Sequence, residues 1–558
     1  MPLLTEGGHV SSRRGSNMVA AGILVSRLAG FARDRAIQHW FGLSATASAF
    51  RAAMQIPNLL QNLLGEGVLS ASFVPVYVRL LEAGDEREAG RLAGAIAGLL
   101  TALVAALALV GVVLARPLTT VIAAGFRDNT ALFELTVTLL RIVFPGVGFL
   151  VLSAWCLGIL NSHRRFFLSY VAPVFWNVAQ IGALAVVGSS IVGGVGEASV
   201  ADLDRLVRAL AWGTVLGGLL QFGVQLPMVL RLQRGIRLST DREAPGVATV
   251  LRSFGHVIAG RGGVQLGGYL DLFLASFLAA TAVAAMRTAQ TLYLLPIALF
   301  GMSIAAAELP ELSRGDADPV ATQRRLDAGL RRVAFYVMPS MVAFLALGDV
   351  IVGGLFRTGA FGRDDEVIVW ILLAALSVGL LATTASRLLQ SAMYAAGQAR
   401  IPARLSMLRV AVAALLGAAT MWAFEGFAIE GGAVVRAVDL SPTAAGNVDA
   451  LRLGPLGLSI ASAIGAWLEF ALLRRACAVR LRLTVSLGGG DLRRLATAAV
   501  PSTLMALAAR SLVAGLPRIP GALMALAAVG LTWLGFSASL GLAEARVLID
   551  GVGRRIRR

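Results

Sequence analysis

About fourteen apolar runs, each near or above the ~20 residues a helix needs to cross a bilayer, leave this chain few folds to adopt. They fall at roughly 17–41, 46–80, 91–115, 131–160, 167–192, 206–232, 249–278, 285–312, 327–356, 366–396, 402–428, 453–475, 491–514 and 519–543. Helix is the reading that satisfies every backbone group in hydrocarbon; barrel strands would be half as long and would alternate. The fold class is therefore all-α, a polytopic membrane protein of about 14 transmembrane helices. A hydrophobic content of 57% excludes an ordinary soluble protein. The second run is the least uniform, because Pro57 and Gly65 to Gly67 interrupt it. A bent or broken helix lining a cavity is expected there.

Arginine sorts the loops by side. All 49 basic residues are arginine, which removes any P-loop, Schiff-base or kinase-type lysine. A net charge of +17 invites a nucleic-acid reading, but its distribution argues otherwise. The connections after helices 2, 4, 6, 8, 10 and 12 are richer in arginine than the alternate loops, with Arg87 and Arg91, Arg231 to Arg242, and Arg474 to Arg494 among theirs. The positive-inside rule then places both termini in the cytoplasm, in agreement with an even helix count. No nucleic-acid partner is expected. Met1 to Asn17 precedes a long helix without a trusted cleavage pattern, so a retained first helix is expected rather than a signal peptide. Cys156 and Cys477 stand far apart, and the four histidines are scattered; neither a disulfide framework nor a metal site is expected, and no cofactor. The linkers 233–248 and 476–490 divide the chain into 1–235 (helices 1–6), 236–480 (helices 7–12) and 481–558 (helices 13–14 with a basic cytoplasmic tail). The outer connection 429–451 reads as an exposed, partly ordered insertion.

Arg27 and Arg33 lie inside the first apolar run. An arginine at the bilayer centre costs about 2.5–3.5 kcal/mol on insertion scales, which a protein sustains only where the guanidinium faces protein or water. Six residues apart is about 240° net around a helix, so the two share no narrow stripe but can border one wide cavity. The planar guanidinium fork suits phosphate. An intramembrane anion site is the first reading; structural pairing with Asp34 or Glu66, or snorkelling to the interface, are the plainer ones.

The segment Arg27-Leu28-Ala29-Gly30-Phe31-Ala32-Arg33-Asp34 is followed by Ile56-Pro57-Asn58-Leu59-Leu60, Gly65-Glu66-Gly67 and Ser72-Phe73-Val74-Pro75. Further down come Leu140 to Pro145, Gly158 to Asn161, Ala172-Pro173 with Asn177, Gln221 with Gln225-Leu226-Pro227, Leu309 to Ser313, and Tyr394 with Ile401-Pro402. This ordered set resembles the MurJ/MviN family of lipid II flippases, of the multidrug/oligosaccharidyl-lipid/polysaccharide exporter superfamily, over about 17–475. The resemblance implies two six-helix lobes forming a V around a central cavity, with helices 13 and 14 shaping a groove for a polyprenyl tail. It implies an undecaprenyl-pyrophosphate-linked peptidoglycan precursor as cargo, carried from the inner to the outer leaflet of the cytoplasmic membrane by alternating access. Membrane lipids and cell-wall synthesis proteins are the expected partners, and a monomer the expected state.

Against the family pattern, Gln61 stands where an arginine is common, Ser48 where an acid is common, and Gln290-Thr291 where an Asp-Arg pair is common. Arg51, one turn before Gln55, and Arg287, four residues before Thr291, could restore the charge one turn away. Arg261 lies among Gly260, Gly262 and Gly263, with Asp271 ten residues on as partner or cation site. The candidate substrate-binding set is thus Arg27, Arg33, Arg51, Arg261 and Arg287. Asp34, Glu66 and Asp271 are the candidate gating or coupling groups; a salt bridge is the plain reading of Glu66. Arg387 and Arg409 are ambiguous, and Glu308 and Glu311 read as interfacial.

An enzyme is not expected. The only tight acidic run, Asp364-Asp365-Glu366, reads as a solvated helix N-terminus rather than a Mg²⁺ site. Two alternatives to the lipid II cargo remain. One is a flippase of the same fold for another lipid-linked glycan, such as an O-antigen or exopolysaccharide unit. The other is a non-transporting scaffold with a degenerate site.

Overall fold

The computed structural model describes residues 7–191, 194–195, 198–301, 319–439, 450–483 and 489–556. Among them, 11 helices are long and apolar enough to cross a membrane, or up to 12 when the bent pair Arg363–Val378 and Leu380–Ala395 is taken as one span. The chain is a helical, multi-pass membrane protein. Two further helices, Gly7–Phe41 and Val247–Ala275, occupy the first and seventh expected places and run 35 and 29 residues.

The chain divides into two compact units, Met1–Tyr269 with Thr358–Ala360, and Leu270–Arg357 with Phe361–Arg558. The first is built from α1 (Gly7–Phe41), α2 (Ala45–Ala53), α3 (Gln55–Leu64), α4 (Glu66–Ser72), α5 (Val74–Glu82), α6 (Glu86–Val113), α7 (Ala115–Ile122), α8 (Thr130–Ser162), α9 (Phe166–Gly188), α10 (Val200–Leu232) and most of α11 (Val247–Ala275). Several helices begin where a short polar side chain can bind orphan backbone N–H groups. Ser44 accepts from the Ala47 amide at the head of α2, Asp85 from Glu88 at α6, and Asn129 from Leu132 at α8. Ser199 and Asp202 form a reciprocal capping box at α10.

The second span is broken as expected, into the four pieces α2 to α5 between Ala45 and Glu82. Gly65 makes the central break, and its lack of a side chain is what permits it. A Cβ there would run into the carbonyl oxygen of Gln61. Pro57 sits in the first turn of α3, where helix N–H groups have no acceptor within the helix. Leu64, Leu69, Phe73 and Tyr77 from the broken span pack with Leu92 and Ile96 of α6 and Trp155 and Ile159 of α8. Burying each such side chain stabilises by about 1.5–3 kcal/mol relative to exposure in water.

The basic linker after α10 is strapped onto this unit. Its backbone runs along Gly90, Gly94 and Gly98 of α6, and the Ser239 amide donates to the Gly94 carbonyl at 3.3 Å. A Cβ at Gly94 or Gly98 would meet the carbonyl oxygens of Arg237 and Ser239. The Tyr77 hydroxyl donates to Gln233 Oε1 at 2.9 Å and lies 3.0 Å from His163 Nε2, while Gln233 Nε2 donates to the Glu86 carbonyl at 2.7 Å. Linker and first unit therefore cohere. The division falls inside α11, at 269/270, rather than at the 235/236 junction that linker composition suggests.

In the second unit, α12 (Ala282–Pro296) precedes the long helices Pro319–Phe356, Arg400–Glu425, Gly454–Leu481, Gly489–Leu512 and Arg518–Ser539, and the bent pair already named. The connection between Arg400–Glu425 and Gly454–Leu481 contains an antiparallel hairpin of β1 (Phe427–Glu430) and β2 (Ala433–Arg436). Gly431 and Gly432 turn it with φ of +61° and +79°, the two positive values a tight hairpin requires. Residues 440–449 of the insertion lie outside the described residues.

The acidic run at 364–366 opens a helix, as expected; Asp364 and Asp365 are half-buried and only Glu366 is withdrawn from solvent. Asp364 accepts the amides of Gly431 and Gly432, and Asp365 accepts the Gly362 amide at 2.7 Å. Glu366 is buried and pairs with Arg357 at 3.2 Å and with Arg363. The hairpin and two arginines take up the charge that an isolated helix end would have left to water.

Candidate functional site

A cavity of about 900 Å³ opens within the first unit, between α1, the broken span, α8, α9 and α10. Its walls follow from the breaks in these helices. Gly65 brings backbone close to Ala154 of α8, and Gly67 and Pro173 of α9 line the same space. Arg33 and Glu66 are the charged residues among those lining it. Around them stand Gln61, Asn62, Ser70, Ser153, Asn177 and Gln221.

Arg33 is held on two sides. Its Nε and Nη2 donate to Asp34 Oδ1 at 3.1 and 2.8 Å, and its guanidinium lies 4.9 Å from the centre of the Trp176 ring. The same carboxylate oxygen is 4.0 Å from Arg51 Nη1. One buried carboxylate is thus shared by two arginines. This places Arg51 against Asp34, not in the cavity wall, and Gln55 one turn on is buried. Asp34 orients Arg33 and compensates its charge.

Arg27 differs from Arg33 in every respect. It is exposed, and no hydrogen bond or ion pair involves it among the described residues. On α1 it lies beside Ser26 and one turn before Gly30, and both of these line the cavity. Glu66 is also exposed and carries no hydrogen bond or ion pair among the described residues, so the salt bridge expected as its plain role is not formed.

In the second unit, Arg287 is half-buried on α12, and the Thr291 hydroxyl donates to its carbonyl at 2.9 Å. The two positions share a helix face. Asp271 is half-buried near the end of α11. The side chain of Arg261, on the same helix, lies outside the described residues, as do Glu308 and Glu311. Arg409 pairs with Glu469 at 3.0 Å, and Gln390 Nε2 and Ser406 Oγ also donate to that carboxylate. Arg387 is half-buried, and its Nε has no hydrogen-bond partner among the described residues. Among the described residues no three metal-ligating side chains cluster.

Of the eight candidates, the structure brings Arg33, Asp34 and Arg51 into one charge triad and sets Glu66 across the cavity. Arg27 is set apart, and Arg287 and Asp271 belong to the other unit. Sequence reading did not assign Trp176, Asn62, Ser153, Asn177 or Gln221 to the site. A signal existed for two of them: amides inside long apolar runs, such as Asn177 and Gln221, mark a face turned away from lipid.

Comparison with known proteins places this geometry in a family. A family profile described as lipid II flippase MurJ matches residues 37–438. The lipid II flippase MurJ of Burkholderia cenocepacia is 31% identical over 390 residues, covering 69% of this chain and 73% of that protein. A probable lipid II flippase MurJ of Vibrio cholerae is 29% identical over 467 residues, covering 82% of this chain and 81% of the other. A solved lipid II flippase MurJ in an inward closed conformation superposes with a TM-score of 0.70 at 19% identity, over 95% of this chain and 99% of that one. An inward-facing MATE family multidrug resistance transporter of the MOP superfamily follows at 0.60 and 16%, over 82% of this chain and 94% of the other. At these identities the two structures speak for the fold.

Proposed function

The chain belongs to the MurJ family of lipid II flippases, and from that premise we propose that it carries lipid II across the cytoplasmic membrane from the inner to the outer leaflet by alternating access. The curated relatives are named for lipid II, which favours this cargo over another lipid-linked glycan and over a non-transporting scaffold. The observation that carries the reading is the polar cavity set among spanning helices, with Arg33 and Glu66 facing it. A protein retains such groups at membrane depth where they serve a path for a polar headgroup.

The pyrophosphate contact falls first to Arg27. Its guanidinium is uncommitted among the described residues, whereas that of Arg33 is spent on Asp34 and Trp176. The expected outcome is that the wild-type gene rescues bacteria depleted of their lipid II flippase, while Arg27→Ala does not, at unchanged membrane levels. Removing an exposed charge from a membrane-spanning helix lowers insertion cost rather than raising it. Full rescue by Arg27→Ala would remove Arg27 from the anion site. Loss of the protein itself would make its role structural.

Both termini and the 233–248 linker lie on the cytoplasmic side in this reading, and the β1–β2 hairpin outside. Thr240→Cys and Val438→Cys, both at exposed positions, test it in a chain whose buried Cys156 and Cys477 are replaced by alanine. An impermeant thiol reagent on intact cells should label the second and spare the first. The reverse pattern inverts the topology.

A further inference from the structure

A second pocket of the first unit, of about 690 Å³, lies at the end of α6 away from the strapped linker. It is formed by α7, the 3-10 turn Ala124–Asp128 and the start of α8. In the topology proposed above, this end faces the outer leaflet. α7 is a short two-faced helix set between two spans. Ala115, Thr119 and Ile122 are buried, while Arg116, Pro117 and Val121 line the pocket. The surface beside it is bare and apolar: Leu109, Val110 and Val113 at the end of α6 are exposed, as is Val121. Such side chains on the end of a spanning helix are covered by lipid acyl chains, because removing apolar surface from water is favourable.

The two arginines of the pocket are not equivalent. Arg116 donates through two nitrogens to the Glu134 carboxylate at 2.5 and 3.3 Å, and its guanidinium lies 5.6 Å from the centre of the Phe133 ring. Its charge is compensated. Arg127 is exposed and makes no hydrogen bond or ion pair among the described residues. The side chains of Thr120 and Thr130 on the same lining make none either. Asp128, beside Arg127 in the chain, is exposed and not among the lining residues. With Glu134 answering Arg116, the lining keeps one uncompensated positive charge. A guanidinium fork and two hydroxyls supply the donors that phosphate oxygens accept from. One negative charge is what a phosphodiester carries, and a basic pocket beside a spanning helix suits an anionic lipid headgroup.

We propose that this pocket binds the headgroup of an anionic phospholipid, with Arg127, Thr120 and Thr130 on the phosphodiester and an acyl chain along Val121 and the exposed end of α6. A zwitterionic lipid carries the same phosphate but adds a cation that Arg127 repels, so the site selects by net charge. Such a lipid stays in its leaflet, and the site stands whichever cargo the chain carries. α8 runs from this pocket to the larger cavity, where Ser153 and Ala154 line the wall. The bound lipid therefore rests on a helix that also shapes that cavity.

The test uses the full chain in nanodiscs, with Cys156 and Cys477 replaced by alanine and a fluorescent label on Val113→Cys, an exposed position beside the pocket. The probes are phosphatidylglycerol and phosphatidylcholine with brominated acyl chains, because bromine quenches only at short range. Brominated phosphatidylglycerol should quench at a mole fraction about 3- to 10-fold lower than brominated phosphatidylcholine, the worth of one charged hydrogen bond at an exposed site. Arg127→Ala should abolish that preference, and Arg127→Lys should keep part of it. Glu134→Gln, which frees Arg116, should raise it by about twofold. Equal quenching by the two lipids overturns the assignment, as does a preference that survives Arg127→Ala or falls with Glu134→Gln. Inorganic phosphate in excess should remove no more of the preference than chloride at equal ionic strength does. Specific displacement by phosphate would make this a site for a free anion and overturn the assignment to lipid.

Discussion

Glu66 and Glu469 are both carboxylates on membrane-spanning helices, one in each unit, and they are treated in opposite ways. Glu469 is 2% exposed and accepts from Arg409, Gln390 and Ser406. Glu66 is exposed to the cavity and accepts from nothing described. The same contrast separates Asp34, shared by Arg33 and Arg51, from Arg27, which is open. Intramembrane charge by itself does not mark a binding group. A charge satisfied on every side is part of the scaffold, and one left open over a cavity is available to a ligand.

The largest expected effect breaks the satisfied side of that contrast. Glu469→Ala removes the ion-pair partner of the Arg409 guanidinium and the acceptor of the Ser406 hydroxyl, while Gln390 keeps only its 3.4 Å bond to Ser406 Oγ. Loss of one partner of a buried pair costs about 3–5 kcal/mol. Denaturant titration of the purified protein should show that loss, while Glu66→Gln should stay within about 0.5 kcal/mol of wild type. Equal destabilisation by the two would end the distinction.

Next in size is Gly65→Ala. The added Cβ meets the Gln61 carbonyl, so the break must shift. Strain of this kind costs about 1–3 kcal/mol. Because the break carries Glu66 and aims Asn62, transport should fall further than stability does. Wild-type transport and stability together would show that the break tolerates a side chain.

The smallest effect concerns Arg287 in the second unit. If it serves the role usually filled at position 291, Arg287→Ala should slow transport about fivefold, roughly 1 kcal/mol. Adding Thr291→Arg should restore much of the rate, because one turn is about 5.4 Å of rise and the two share a face. Arg287→Lys should restore less, since a point charge cannot make the bidentate contact. A wild-type rate for Arg287→Ala would return Arg287 to a structural role.

Much of the architecture was legible in the chain. The length and polarity of the apolar runs determined a polytopic helical protein, because hydrocarbon offers no partner for an unpaired backbone group. Pro57 and the glycines at 65 and 67 placed the broken span, since few other residues permit such a break. Arg27 and Arg33 stood out because an intramembrane arginine is costly wherever it points.

What the sequence left open is where each charge finds its partner. Nothing in the spacing of Arg33, Asp34 and Arg51 says that one carboxylate serves both arginines, because that depends on how α1 packs against α2. Nor does composition reveal that Asp364 and Glu366 are spent on a hairpin and two arginines, or that Trp176 lies beneath Arg33. The glycines along α6 gave no hint that the basic linker would lie on them. Periodicity and hydropathy are properties of a segment and can be read along it, whereas compensation of a charge is a property of a pair. Pairs distant in sequence become neighbours only when the helices pack.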